Sequence, residues 1–295
     1  MNNKLRFRLS ILIFLVVLTT FSVYFFLKEE REDILLVTFL NIGQGDAIFI
    51  ETAGGNQVLI DGGPDKSVLR ELGSVMPFYD RSIDVVIATH PDADHVGGLN
   101  DVLERYEVDL FMEPGVVVDT SVYSELKSKI KDSEGSKNEI AVIEARRGMV
   151  VELGNGVFLE ILYPIGDVSN WESNDASIVA KLVYGETEFL LTGDAAFKTE
   201  GALLYLSPPE GHLQGGLRAD VLKVGHHGSK SSTGQEFVKT VAPQYAVISS
   251  GVDNRYGHPA PEVLEILENH NVKILRTDID GRIVFTSDGV NLKIK

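Results

Sequence analysis

The sequence predicts an α/β domain in which two β-sheets pack face to face with helices outside, preceded by one N-terminal transmembrane helix. Three observations lead to this prediction. An uncharged run of nineteen residues, Leu9–Leu27, follows a short basic segment. Behind it, short β-rich runs occur in both halves of the chain, with helix-period segments between them. No Pro- or Ser-rich linker interrupts the chain after Ile34, so residues 34–295 are predicted to form one domain.

Composition narrows the function classes. The chain has 295 residues, 44% of them apolar and 24% charged, which is typical of a globular protein rather than a disordered one. It contains no cysteine, which excludes disulfides, thiolate metal sites, cysteine nucleophiles and a lipoprotein anchor. Acidic side chains outnumber basic ones by 43 to 27, so a broad, charge-driven nucleic-acid coat is excluded. A phosphate bound through a metal ion remains compatible, because the ion brings its own positive charge.

The N-terminal segment predicts a membrane anchor. Residues 1–8 carry three basic side chains, and residues 9–27 would form a helix about 28 Å long, close to the thickness of the bilayer core. Residues 28–33 are mixed but mainly acidic, so the positive-inside rule places residues 1–8 in the cytoplasm and the remainder outside. The alternative is a cleaved signal peptide. The apolar run is longer than a signal peptide requires and no A-x-A site follows it, which favours an uncleaved, single-pass anchor in the cell membrane.

The elements of the body follow from hydrophobic periodicity. Strands are predicted over Ile34–Ile42, Ala47–Thr52, Gln57–Ile60, Ile83–Ala88, Val157–Tyr163, Ser177–Tyr184, Glu188–Leu191, Val221–Val224, Tyr245–Ser249, Lys273–Leu275 and Arg282–Thr286. Helices are predicted over Leu99–Tyr106, Ser121–Lys131, Ala196–Leu206, Gly234–Val241 and Pro261–Asn269. The polar stretch Lys127–Lys137 is predicted to be a solvated loop or a frayed helix end. His212 and His270 lie in no motif and are predicted to be surface residues.

The strongest chemical signal is THPDADHVGG, residues 89–98, which follows an apolar strand. Within six residues it places four side chains of metal-ligand type: His90, Asp92, Asp94 and His95. Imidazole and carboxylate suit Zn²⁺, Mn²⁺ or Fe, and Pro91 with the two glycines fits a tight loop. The competing interpretations are an acidic turn with incidental histidines and a calcium loop. The calcium loop fails because Val96 and Leu103 occupy positions where it needs oxygen ligands.

Three further motifs end apolar strands in residues of ligand type. LIDGG ends in Asp61, LLTGD ends in Asp194, and LKVGHHGS supplies His226 and His227. A lone aspartate after a strand is usually a turn residue or helix cap. The recurrence of such residues at the carboxyl ends of strands, where open sheets place their sites, favours a shared metal site.

These motifs together resemble the metallo-β-lactamase superfamily. NIGQGDAIFI (Asn41–Ile50), THPDADHVGG, LLTGD, KVGHHGS and NRYGHP (Asn254–Pro259) are similar to the extracytoplasmic domain of the ComEC branch of competence DNA-channel proteins. The resemblance covers most of residues 34–295. It implies an αββα sandwich with two metal ions at one edge.

The resemblance also implies roles for individual residues. His90, Asp94 and His95 match metal ligands, and Asp194 matches the carboxylate that bridges two ions. Asp92 stands where most members have histidine, which favours a harder ion and makes Mn²⁺ as plausible as Zn²⁺.

The last histidine ligand and the supporting carboxylate are implied in the same way. We expect His226 to be the ligand because it lies nearer the strand end, with His227 as the alternative. Asp61 matches a carboxylate that orients the ligand loop from behind.

One departure affects the number of ions. Most members have a histidine where this chain has Ser173-Asn174-Asp175. Asp175 or Asn174 is the expected substitute or supporting group, and one or two ions remain open. His258, in the sequence YGHP, is expected either to reach the site or to shape a loop.

The implied chemistry is metal-assisted hydrolysis, with Asp94 and Asp194 orienting a nucleophilic water and His258 or Lys230 offsetting charge on the scissile group. Ser229 lies outside any nucleophile-elbow context. The competence resemblance favours a phosphodiester, with DNA as the first choice and a small phosphodiester or other anionic ester as the second.

A different functional class remains open: a non-catalytic or weakly catalytic membrane-tethered binding module that keeps the fold. Residues 34–295 carry a net charge of −17, and no aromatic–basic stripe is evident in the sequence, which argues against tight DNA binding. With one apolar run, we do not expect transport by this chain alone. No protein partner is predicted.

Overall fold

The structure is a computed structural model that describes residues 3–29, 34–206 and 216–295, with side-chain environments described for residues 4–23, 34–206 and 216–295. Residues 1 and 2 of the predicted cytoplasmic tail, part of the acidic segment 28–33, and His212 lie outside the described residues.

The chain begins with helix α1, Asn3–Glu29. Its segment Lys4–Val23 is 20 residues long with a mean hydropathy of 1.8, and none of it is buried against the rest of the protein. By length and composition this helix can cross a membrane. Helix α1 starts before the predicted span of residues 9–27 and contains all of it.

Two sheets form the body of the described chain. The first has the order β15-β14-β1-β2-β3-β4-β5-β6, with these bounds: β1 Leu35–Phe39, β2 Ile48–Glu51, β3 Gln57–Ile60, β4 Ser82–Ile87, β5 Glu107–Glu113, β6 Ala141–Glu144, β14 Ile283–Ser287 and β15 Leu292–Ile294. The second has the order β13-β12-β11-β10-β9-β8-β7, with these bounds: β7 Val150–Glu152, β8 Val157–Tyr163, β9 Val179–Tyr184, β10 Thr187–Leu191, β11 Val221–Lys223, β12 Tyr245–Ile248 and β13 Lys273–Arg276.

Helices cover both outer faces, which confirms the predicted αββα arrangement. The remaining helices are α2 Ser67–Val75, α3 Ala93–Val96, α4 Leu99–Arg105, α5 Ser121–Asp132, α6 Phe197–Tyr205, α7 Gln235–Val241, α8 Pro261–Asn269 and α9 Thr277–Asp280. Apolar residues of α2, α4 and α5 pack on the first sheet, and those of α6, α7 and α8 pack on the second. Each helix thus buries one apolar face, as its period predicts.

The space between the sheets is filled by a core cluster with four aromatic rings at its centre. Phe285 packs edge-to-face against Phe39 of its own sheet and against Phe189 and Tyr245 of the facing sheet, with ring centroids 5.5–6.1 Å apart. Edge-to-face contacts of this kind add to the free energy gained by burying each ring. Phe285 therefore joins the two sheets directly.

Parallel pairing brings the carboxyl ends of several strands to one rim of the sandwich. In the first sheet β3, β4, β5 and β6 run parallel, and in the second β10, β11, β12 and β13 do so. The loops after β3, β4, β10 and β11 are the four motifs that end apolar strands. The fold therefore gathers them at the rim, as the strand-end pattern predicts.

Several elements differ from the sequence prediction. Helix α5 ends at Asp132, one residue beyond the predicted end, so the first part of the polar stretch Lys127–Lys137 is a helix end, which is one of the two predicted alternatives. Strands β5, β6, β7 and β15 and helices α2, α3 and α9 are not predicted. In β5 charged residues interrupt the apolar run, and all four residues of the edge strand β6 are exposed, so neither has the hydrophobic pattern of a buried strand.

We predict that Phe285→Ala lowers the free energy of unfolding by about 3–5 kcal/mol, because the cavity lies between the two sheets and neither can close it alone. Denaturant unfolding of the detergent-solubilised chain measures the change. Val290→Ala, at an exposed position, is the control and should change it by less than about 0.5 kcal/mol. Equal stability of the two variants would show that Phe285 does not hold the sheets together.

Candidate metal centre

Four buried side chains meet at the rim: Asp46, His95, Asp194 and His227. One ligand atom from each lies within 4.8 Å of all the others. His95 Nε2 is 3.2 Å from Asp194 Oδ1 and 3.4 Å from His227 Nε2. His227 Nε2 is 3.6 Å from Asp194 Oδ2. Two imidazole nitrogens and a carboxylate therefore face one another in a space that a single cation can occupy.

Asp61 fixes the orientation of His95 from behind. Its Oδ2 accepts from His95 Nδ1 at 2.8 Å and from the Thr89 hydroxyl at 2.7 Å, and its Oδ1 accepts from the Thr89 backbone N–H at 2.7 Å. Because His95 Nδ1 donates its hydrogen bond to Asp61, the Nε2 atom of His95 is the nitrogen that faces the cluster. Asp61 holds a left-handed backbone conformation, φ 60°, which aims its carboxylate back at the loop after β4.

The HHGS turn presents His227 to the cluster and turns His226 outward. Both residues have left-handed backbone conformations, with φ 47° and 54°, which non-glycine residues rarely adopt. His227 Nδ1 is 3.0 Å from the carbonyl oxygen of Ser249, so its Nε2 faces Asp194. His226 is part-exposed, and its Nε2 lies 3.8 Å from Asp194 Oδ2. Of the two candidates for the last ligand, His227 is the member of the buried cluster.

The remaining residues of the HPDADH loop lie around the same carboxylate. His90 Nε2 is 3.8 Å from both Asp92 Oδ2 and Asp194 Oδ2, and its Nδ1 is 3.0 Å from the Thr89 hydroxyl. Asp94 Oδ2 is 3.4 Å from His227 Nε2. The loop thus divides into a His90–Asp92 side and an Asp94–His95 side, and Asp194 faces both.

Asp46 is absent from the predicted ligand set. It lies in the GQGD motif at the end of the loop between β1 and β2, and its Oδ2 is 2.6 Å from Nζ of the fully buried Lys223. The motif itself was visible in the sequence, but its aspartate precedes a strand rather than following one. The strand-end pattern therefore did not select it.

Gly45, the neighbour of Asp46, makes the closest approach to the ligand loop. A Cβ at this position would lie 2.0 Å from the backbone oxygen of Asp94, and the residue has φ +123°. Only glycine fits here, because any side chain would displace either the GQGD loop or the loop that carries Asp94.

Two other predicted residues occupy the margins of the site. His258 is half-buried, with its ring centroid 5.7 Å from that of His226 and 6.4 Å from that of His227. The Asp175 carboxylate pairs with the Lys198 ammonium. Its neighbour Ser173 donates a hydrogen bond to Asp92 Oδ1 at 2.5 Å. The Ser173–Asp175 segment therefore reaches the HPDADH loop through the serine.

The charges of the cluster are strongly interdependent. Burial alone lowers the pKa of His95, but the carboxylates of Asp194 and Asp61 outweigh it and raise that pKa well above its ordinary value. Burial also lowers the pKa of His227. The Asp194 and Asp46 carboxylates outweigh this effect and raise the pKa of His227 to about 9. The converse holds for Asp194: burial raises its pKa, but the two imidazolium charges hold it well below the usual range. The carboxylates thus create a negative potential that attracts a cation.

The residues fit a divalent metal ion. The buried Nε2 of His90 has no hydrogen-bond partner among the described residues, although it faces two carboxylates. A buried polar atom left in this way usually indicates a missing ligand. Imidazole nitrogens with carboxylate oxygens, and no sulfur, suit Zn²⁺ or Mn²⁺.

Comparison with known proteins agrees with the geometry. Residues 40–252 match the metallo-β-lactamase superfamily. The chain is 32% identical over 280 residues to ComE operon protein 3 of Bacillus subtilis, covering 89% of this chain and 34% of that protein. It is 31% identical over 253 residues to competence protein ComA of Neisseria gonorrhoeae, covering 84% and 32% respectively. It is 30% identical over 146 residues to ribonuclease Z of Aeropyrum pernix, covering 47% and 43%. The chain spans about a third of the length of the two competence relatives.

We predict that Asp61→Asn weakens binding of Zn²⁺ or Mn²⁺ about 10- to 100-fold, the usual cost of removing a group that orients a ligand histidine. The amide can no longer accept from His95 and from both Thr89 donors. Chelator competition measures the affinity. Asp119→Asn, on an exposed loop, is the matched control, and an Asp61→Asn protein that binds metal as tightly as this control would contradict the role of Asp61.

Proposed function

Because this chain belongs to the metallo-β-lactamase superfamily, we propose that it is a membrane-anchored, extracytoplasmic, metal-dependent hydrolase of phosphodiester bonds, with DNA as its substrate. The observation that carries the proposal is the convergence of His95, His227 and the Asp194 carboxylate in one buried cluster. A hydrolase built on this cluster would use the rim of the sandwich as its active site.

The choice of a phosphodiester rests on the relatives and on charge. Two relatives are a competence protein and a ribonuclease by name. The site itself is rich in carboxylates, and the body of the protein is acidic. An anionic ester could approach such a site only with a cation to neutralise it, which is the role that metal ions have in nucleases and phosphatases. DNA is preferred over a small phosphodiester because of the competence relatives.

The ligands divide into two proposed groups that share Asp194. Asp94, His95 and His227 would hold one ion, with Asp46 close by. His90 and Asp92 would hold a second ion, with His226 at the margin. Zn²⁺ and Mn²⁺ both suit these donors, and one or two ions are compatible with the arrangement.

The chain's own residues have distinct tasks in this proposal. A bound ion would supply a water of lowered pKa as the nucleophile. Asp94 and Asp194 would hold the ion and accept hydrogen bonds from the nucleophilic water, which would orient it toward the substrate. His258, beside His226, donates a hydrogen bond to a phosphoryl oxygen and offsets the charge that develops there. Asp61 keeps His95 in place throughout.

We predict that the full-length protein in detergent hydrolyses bis-p-nitrophenyl phosphate and single-stranded DNA with Zn²⁺ or Mn²⁺, and that chelation abolishes turnover. Asp94→Ala should reduce the rate by more than about 100-fold, because removing a ligand costs more than removing a group that supports one. Asp119→Asn should retain the rate. Metal-loaded wild type that turns over neither substrate would refute the hydrolase, and hydrolysis of a β-lactam instead would refute only the phosphodiester.

A second candidate function is a binding module with little or no catalysis. The observation that favours it is the Ser173–Asp175 segment, where the Asp175 carboxylate pairs with Lys198 in place of a histidine ligand. A protein that binds metal and DNA but leaves both substrates intact would establish this alternative.

The membrane anchor is a proposal of its own. We assign residues 1–8 to a cytoplasmic tail, residues 9–27 to the membrane and residues 34–295 to the extracytoplasmic domain. Lys4, Arg6 and Arg8 precede the apolar stretch and favour a cytoplasmic N-terminus. Helix α1 has the length and composition that such an anchor needs.

We predict that alkaline phosphatase fused after Lys295 is active in cells and that a green fluorescent protein fusion at the same point is dark, because the fusion point lies outside the cytoplasm. Replacing the three basic residues with glutamate should weaken this orientation. The opposite reporter pattern would place the domain in the cytoplasm, and a soluble, shortened product would indicate cleavage of a signal peptide.

A further inference from the structure

A cation–aromatic pair lies beside the metal cluster on the loop after β12. The Arg255 guanidinium is 4.9 Å from the centroid of the Tyr256 ring, and its Nη2 donates to the Tyr256 hydroxyl at 2.7 Å. Tyr256 stacks on His258, with centroids 5.7 Å apart and an angle of 22° between the planes. His258 in turn contacts His226. The part-exposed Tyr256 ring thus lies next to His258 and, through it, to the candidate ligand His226.

The turn that carries this pair is held rigidly. Asn254 Oδ1 accepts from the backbone N–H groups of Tyr256 and His258, at 3.2 and 3.0 Å. Its Nδ2 donates to the His258 carbonyl oxygen at 2.6 Å and to that of Gly251 at 3.0 Å. Gln44 Oε1 accepts from Gly251 N–H at 3.1 Å, which ties the turn to the GQGD loop. The orientation of the aromatic face is therefore set before any ligand binds.

A second cation–aromatic pair borders the other part of the cluster. The Lys198 ammonium is 5.4 Å from the centroid of the exposed Trp171 ring. Lys198 also pairs with Asp175, and Ser173, two residues earlier, donates to Asp92. This pair is therefore connected to Asp92, whereas Tyr256 is connected through His258 to His226 and His227.

We propose that these two pairs are base-stacking subsites that flank the metal centre and select single-stranded DNA. The proposal rests on the phosphodiesterase function and specifies its substrate. An unpaired base can stack on Tyr256 or Trp171 while its backbone phosphate approaches Arg255 or Lys198. In a duplex the bases are paired and stacked on one another, so neither aromatic face is reached.

Local subsites also resolve the conflict between a DNA substrate and an acidic protein. A net charge of −17 over residues 34–295 argues against a broad electrostatic attraction of the DNA backbone. Stacking does not depend on net charge. The Arg255 guanidinium adds a cation beside Tyr256, whereas the Lys198 charge is offset by Asp175, so stacking on Trp171 is the main contribution of the second pair. The sequence conceals this arrangement because the members of the second pair are 27 positions apart.

The test compares binding of a fluorescein-labelled dT12 with that of an abasic oligomer of equal length, by fluorescence anisotropy. All proteins are full-length, in detergent, and carry Asp94→Ala so that the oligomers stay intact. The parent protein should bind dT12 at least about tenfold more tightly than it binds the abasic oligomer. Trp171→Ala and Tyr256→Ala should each reduce the affinity for dT12 about tenfold, which brings it closer to the affinity for the abasic oligomer.

Matched variants keep the proposal falsifiable. Tyr79→Ala removes an aromatic residue that is exposed elsewhere and should bind dT12 like the parent. Equal binding of dT12 and the abasic oligomer by the parent would overturn the subsites. The subsites would also be overturned if the Trp171→Ala and Tyr256→Ala proteins bound dT12 as tightly as the Tyr79→Ala protein does.

The outcome is separable from that of the hydrolase assay. Turnover of bis-p-nitrophenyl phosphate by wild type, together with base-independent binding, would overturn the subsites and leave the hydrolase intact. Base-dependent binding that both aromatic variants abolish, in a protein with no turnover, would support the subsites as part of a binding module and refute the hydrolase.

Discussion

Buried negative charge at the rim of the sandwich is the constraint on which the rest of the site depends. Asp46 and Asp194 are almost completely removed from water, and an ionised carboxylate in that environment needs a positive partner. Lys223 supplies one for Asp46. For Asp194 the partners are the imidazoles around it. A divalent ion satisfies the same requirement and lets those imidazoles act as neutral ligands.

The parts of the fold and site that the sequence predicts are those with a local pattern. Strands β3 and β8 and helix α8 have the predicted bounds, because each combines an apolar pattern with clear flanking breaks. The rim location followed from the strand-end positions of Asp61 and Asp194. Strands β5 and β6 were not predictable in this way, because tertiary pairing rather than hydrophobic pattern creates them.

The finer details of the site depend on backbone geometry that no spacing reveals. His226 and His227 are adjacent and chemically identical, and only the left-handed turn decides which imidazole faces the cluster. Asp46 lies 49 positions before His95 and far from Asp194 and His227 in the sequence, and it joins them in the cluster through the contact between its loop and the HPDADH loop. The pairing of Asp175 with Lys198 likewise requires the position of α6.

The contact at Gly45 has a consequence for how this protein can diversify. The backbones of the GQGD and HPDADH loops are so close that a single added methyl group at position 45 overlaps the carbonyl of Asp94. The two loops must therefore mutate in concert, which makes their joint shape resistant to evolutionary drift. The NRYGHP turn is restricted in a similar way, since a Cβ at Gly228 of the HHGS turn would lie 2.7 Å from the Cβ of Pro259. The loops that border the cluster therefore constrain one another, and a larger residue in one requires a compensating change in its neighbour.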